Sequence, residues 1–212
     1  MAEVSRSKAF ISIGIEIQKE EIQVLEDYLT EMDQLKKEYV NRNLENEANL
    51  TYCLASGLRV IQYELMMLVH IKKDKMHEAW GNLVNAETMM GTVISNLPFD
   101  PAPLESYLQR LGTYEQLLFP KMLFQSVGGI VRKSHCSICK KDFRDCDHEK
   151  GKLYMGELCC RVIEEMDLEE VSCVDNPASK HARAISITVE GKDMDLLTHR
   201  KVVKKDNVEP SN

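Results

Sequence analysis

Cys136-Ser-Ile-Cys139, Cys146-Asp-His148 and Gly151-Lys-Leu-Tyr154-Met-Gly156-Glu-Leu-Cys159-Cys160 punctuate the stretch 136–160, and six of the seven cysteines lie between residues 136 and 173. Two thiolates two residues apart can close on one metal ion from a tight turn, and Cys146 with His148 offers a second pair. The pattern is C-x2-C-x6-C-x-H. It supplies the three sulfurs and one nitrogen that a tetrahedral Zn²⁺ takes, within a loop that needs little surrounding core. Catalytic zinc sites keep one position open for water, whereas Cys136, Cys139, Cys146 and His148 fill all four, so the expected role of the ion is structural. His135, Cys159 and Cys160 are near enough in sequence to replace His148 as fourth ligand.

Working outward from this stretch, the residues before it read as helices. Ile15, Ile22, Leu25, Leu29, Met32, Leu35 and Tyr39 recur at spacings of three, four and seven, close to a heptad seam. The Asn-rich run 41–49 is a break, since asparagine favours caps and turns. Leu50, Leu54, Leu58, Ile61, Leu65 and Leu68 form a second periodic segment, and Met76, Trp80, Leu83, Met90, Val93 and Leu97 a third that Pro98 ends. Asp100 and Pro101 then look like an N-cap and a first helical residue. The fourth segment carries Leu104, Leu108, Leu111 and Leu118, with Glu115 as a polar interruption. Four amphipathic helices on short links predict an antiparallel bundle over residues 1–125.

After Pro120 the period becomes irregular, and the pair Gly128-Gly129 is one that no helix interior would choose. Residues 126–200 are expected to form a small zinc-stabilised α/β module, with short strands at 171–174 and 184–189 and a helical turn or two within 159–166. Cys53 and Cys173 read as small core residues, and one of Cys159 and Cys160 is expected to approach the metal while the other joins the core. Residues 201–212 read as a flexible polar tail. The fold class is therefore mainly α, a helical bundle followed by a metal module.

The net charge of −7 opposes a protein that coats nucleic acid through phosphate contacts. Charge is uneven, however. Arg132, Lys133, Lys140, Lys141, Arg144, Lys150 and Lys152 outnumber the acids at 142, 145, 147 and 149, so a nucleic-acid contact through Arg132, Lys133, Lys140, Lys141 and Arg144 is the alternative function. The apolar run 9–17 is interrupted by Ser12, Gly14 and Glu16, which argues against a signal peptide or a spanning helix. A cytoplasmic location without membrane association follows as the expectation, and a reducing compartment suits clustered metal-binding thiols.

The residues Gln125-Ser, 130–139, Cys146-Asp-His148, Gly151, Tyr154-Met-Gly156, Cys159 and Glu170-Val-Ser172-Cys-Val174-Asp-Asn-Pro177-Ala178 resemble a segment of phage-associated and uncharacterised bacterial proteins. The tail E-V-S-x-V-x-N-P-A is also similar to part of the prohead proteases of tailed phages, in which the serine of that strand is the nucleophile. The likeness covers residues 125–178 and would place a peptidase nucleophile at Ser172. A serine needs an oriented base, and no recognisable histidine motif precedes Ser172. GxGxxG, P-loop, GxSxG and HExxH patterns are also absent from the sequence. The expected function is non-enzymatic: a zinc-binding scaffold subunit docking onto other subunits of a larger assembly. The resemblance implies a bacterial or phage setting, extending to an accessory role in an antiviral defence complex.

Overall fold

The computed structural model describes residues 8–202. Its first half is helical: α1 (Glu16–Asn41), α2 (Glu45–Lys72), α3 (Met76–Asn96) and α4 (Ala102–Leu118) follow one another, each packing on the next. A helical turn at 8–11 precedes α1 and tucks Ala9 against Leu25 and Leu65. None of the described helices is long and apolar enough to cross a membrane.

The links follow from local chemistry. Arg42 ends α1 with its amide shared between the Glu38 and Tyr39 carbonyls, and Asn43 takes the left-handed conformation that asparagine tolerates. Asp74 plays the same part after α2. Before α4 the Asp100 carboxylate accepts from the Ala102 amide at 3.1 Å, but the N-cap is Pro101, one residue later than the Asp-Pro pair suggests.

α2 lies between α1 and α3, so its burial is broader than one leucine stripe. Ala48, Cys53, Val60, Leu65 and Met67 are buried, while Leu54, on the expected stripe, is half exposed. Glu64 is fully buried on the same helix, where Arg110 and Tyr107 from α4 hold its carboxylate, Arg110 at 2.8 Å.

The core does not stop at α4. Trp80 stands edge-on to Phe119 with ring centroids 5.3 Å apart, stacks on Phe124 at 6.1 Å, and donates its indole N–H to the Lys180 carbonyl at 3.2 Å. Burying a side chain of this size contributes about 3 kcal/mol, so Trp80 is a principal tie between the two halves. Around it, residues 180–183 and 195–200 meet the helices. Lys180 reaches Glu87 at 2.8 Å and also meets Glu115, which accounts for the polar break in the α4 stripe. His181 meets Asn85, Arg200 pairs with Asp74, and His77 joins Asp195 at 2.5 Å while Arg183 donates to its Nδ1.

Beyond α4 the chain is β. The long strands β1 (Phe124–Cys136) and β4 (Arg161–Val174) pair antiparallel from Phe124 opposite Val174 to Cys136 opposite Arg161, with register shifts at Gly128/Gly129 and beside Lys133. Between them lie a 3₁₀ turn, Phe143–Asp145, and the tiny hairpin of β2 (Leu153–Tyr154) and β3 (Glu157–Leu158). β5 (Ser186–Val189) and β6 (Lys192–Asp195) make a final hairpin. The helical turn expected within 159–166 is instead the start of β4, because those residues bond across to β1. Cys173, expected in the core, is exposed on β4, and Cys160 is exposed too. Of the tail expected from 201 on, only Lys201 and Val202 fall within the described residues, and both pair with β6.

Candidate metal centre

Cys136 is the last residue of β1, and the chain turns back immediately after it. The Lys140 amide donates to the Cys136 carbonyl at 3.0 Å, the Cys136 amide donates to the Lys141 carbonyl at 3.0 Å, and Lys140 takes a positive φ of 61° to close the turn. Asp142 caps the following 3₁₀ turn by accepting from the Arg144 amide at 2.9 Å, and the Arg144 guanidinium holds its carboxyl down at about 2. The chain then enters Cys146, Asp147 and His148, where the His148 amide donates to the Cys146 sulfur at 3.2 Å.

These turns bring Cys136, Cys139, Cys146 and His148 together, with one ligand atom from each lying within 4.8 Å of all the others. The Cys139 and Cys146 sulfurs are 3.4 Å apart and Cys146 Sγ is 3.3 Å from His148 Nδ1. Zn–S bonds of about 2.3 Å and Zn–N bonds of about 2.0 Å put tetrahedral edges at roughly 3.5–3.8 Å, so the donor set fits one metal ion with little adjustment. The four residues the spacing singled out are the four the fold assembles, and they could bind a metal ion.

The electrostatics favour a thiolate at one corner. Burial raises the Cys136 thiol, but the amides of Cys139 and Ile138 and the neighbouring thiols outweigh that and bring it to about 6. Burial instead leaves Cys146 and Cys159 at about 11. The outer contacts orient the imidazole: the Tyr154 ring stands edge-on to His148 with centroids 4.5 Å apart, and the Tyr154 hydroxyl accepts from the Glu149 amide at 2.8 Å.

Of the alternative ligands, His135 turns to Glu164 at 2.9 Å and Cys160 is exposed. Cys159 is fully buried, with its sulfur 3.7 Å from that of Cys136.

Two asparagines that sequence reasoning did not single out dock this module on the helices. Asn49, in the run read as a helix break, lies one turn inside α2 and meets Leu153 and Gly156. Asn96, at the end of α3, donates to the Gly151 carbonyl at 2.9 Å and accepts from the Leu153 amide at 3.1 Å. Their only signal in the sequence is an amide at a helix end, which local capping explains equally well.

Ser172 sits opposite Ser126 in the β1–β4 ladder, and no described hydrogen bond joins it to a histidine. The basic rim is largely paired. Arg132 meets Asp167 at 2.6 Å, Lys133 pairs with Glu164, Arg144 with Asp142 at 3.0 Å, and the Lys140 amine donates to the Ser137 carbonyl at 2.6 Å.

Compared with known proteins, the chain matches no family model, no curated protein and no solved structure.

Proposed function

We propose that this chain is a non-catalytic interaction subunit whose metal centre, occupied by structural zinc, braces the tip of the β1–β4 hairpin for docking onto another protein. The ligand set supports zinc because three thiolates and an imidazole in a tetrahedron suit that ion, and because four protein ligands leave no position for a reacting water.

The observation that carries the docking role is the unpaired edge of β4. Among the described residues β4 pairs with β1 alone, and nearly its whole length is exposed. A two-stranded ribbon of this length is marginal in water and presents a row of free N–H and C=O groups. Val162, Ile163, Leu168 and Val171 stand exposed between Glu165, Glu169 and Glu170, and Glu169 and Glu170 have no ion pair among the described residues. The matching partner is an extended basic and apolar segment that adds as a strand. The carboxylate partners of Arg132, Lys133 and Arg144 weaken the appeal of that rim to phosphates, so a protein partner is favoured over nucleic acid. The phage-linked and antiviral setting rests on the resemblance of residues 125–178 and belongs to this proposal only through it.

The test is calorimetric titration of the full chain with an alternating Lys-Val peptide, the same peptide N-methylated on every backbone amide, and an alternating Glu-Val peptide. Strand addition predicts binding of the first only, at least tenfold weaker after charge reversal of Glu165, Glu169 and Glu170 to Lys. Equal binding of the plain and N-methylated peptides, or no binding at all, overturns it.

A further inference from the structure

The four-ligand set leaves one buried sulfur beside the centre without a task. Cys159 is fully buried, and its Sγ lies 3.7 Å from Cys136 Sγ, against about 3.8 Å for two thiolates sharing a tetrahedral zinc. Its backbone is held on both sides: the Cys159 amide donates to the Lys152 carbonyl at 2.8 Å and its carbonyl accepts from the Gly151 amide at 2.8 Å. The thiol is thus rigidly placed one tetrahedral edge from a ligand. His148 is the opposite kind of group. It is only partly buried and belongs to the irregular segment 146–150, and its ring meets Cys146 and Tyr154.

We propose that Cys159 is a reserve ligand, so that the centre has two ligand sets: Cys136, Cys139, Cys146 and His148, and a second in which the Cys159 thiolate replaces the His148 imidazole. This rests on the metal-binding reading of the same site. In the exchange Cys159 loses its thiol proton to solvent and binds as thiolate while His148 departs as neutral imidazole, so one proton is released and no oxidant or reductant is needed. The exchange frees the segment carrying His148 without emptying the site. It gives the hairpin tip two shapes on one metal ion.

Co²⁺ titration of the full chain, followed by its absorption spectrum, tests this. The wild type should give a tetrahedral spectrum with three thiolates, and Cys159→Ser should keep it. His148→Ala should still bind Co²⁺ tetrahedrally, with sulfur-to-metal charge-transfer intensity raised by about one third as a fourth thiolate joins. The double variant His148→Ala/Cys159→Ser should bind at least tenfold more weakly than His148→Ala. Equal binding by the single His148 variant and the double variant overturns the reserve role, as does loss of the wild-type spectrum in Cys159→Ser, which would make Cys159 a resident ligand. Failure of the wild type to bind Co²⁺ with tetrahedral absorption would instead remove the metal reading itself.

Discussion

The Asn49 side-chain oxygen accepts a hydrogen bond from the Gly156 amide at 2.7 Å, across 107 residues of sequence. Its amide donates to the Leu153 carbonyl, and Asn96 repeats the arrangement on Gly151 and Leu153. Two helix asparagines therefore satisfy the backbone of the β2–β3 hairpin, groups that the short strands cannot satisfy themselves. Gly156 suits the place: its φ is 72°, and a Cβ there would press on the Lys36 side chain. Asn96→Ala leaves one donor and one acceptor without partners and should cost about 1–2 kcal/mol. Thermal unfolding should show the loss, and hydrogen exchange should speed up at 151–158 while the α2 and α3 amides keep their protection.

Metal removal should divide the molecule. The helices bury a continuous core around Trp80, Leu83, Met90 and Leu111, whereas the segment 136–160 buries few apolar side chains, among them Leu153. If the proposed centre holds a metal, such a segment would depend on it for order. Chelation should therefore abolish the dispersed NMR signals of residues 136–160 and leave the helical circular dichroism nearly unchanged. Elemental analysis of the untreated protein should find one zinc per chain.

The glycine pair in β1 makes a sharper contrast than its position suggests. A Cβ on Gly129 would overlap the main-chain carbonyl oxygen of Asp167, where the register slips, so the backbone itself must move. At Gly128 the Cβ would meet only the Glu170 side chain, which can swing into solvent. Gly129→Ala should destabilise the hairpin by about 1–3 kcal/mol and Gly128→Ala by much less. Denaturant unfolding of the two single variants reads the difference directly.

How much of this the sequence revealed depends on whether a signal is local. The helical half repeats its apolar residues every three or four positions, and ligand spacing at 136–148 is itself short-range geometry, so both were legible. Of the long strand β4 only the end at 171–174 was legible, and the rest was not. Its acids and apolar residues lack the strict alternation of a half-buried strand, since both its faces are exposed, and its partner lies far away in the chain. Glu64 escaped for a related reason: a buried carboxylate makes sense only once Tyr107 and Arg110 arrive from α4. Glu115 could be seen to interrupt its stripe, but Lys180, which explains it, could not be found by period or spacing.

His70 gives the fold a dependence on pH whose sign the geometry sets. Burial pushes its imidazole below the ordinary histidine range, with Glu78 opposing and Lys75 and Lys73 adding to the shift. Its Nδ1 lies 2.8 Å from the Asn82 side-chain nitrogen, which can only donate, so the folded state needs that ring nitrogen unprotonated. The folded protein thus binds the His70 proton more weakly than the unfolded chain. The contribution is full above about 6.5, falls as the pH drops through that value, and levels off below the folded pKa. Acid would also weaken metal binding at the proposed centre, in the same direction, so the wild type alone does not isolate the effect. A glutamine side chain in place of the imidazole could still accept from Asn82 without titrating. Melting temperatures of wild type and His70→Gln should therefore diverge between about pH 7.5 and about pH 5.5, with the wild type losing more. Parallel curves for the two proteins would show that His70 carries no part of the acid sensitivity.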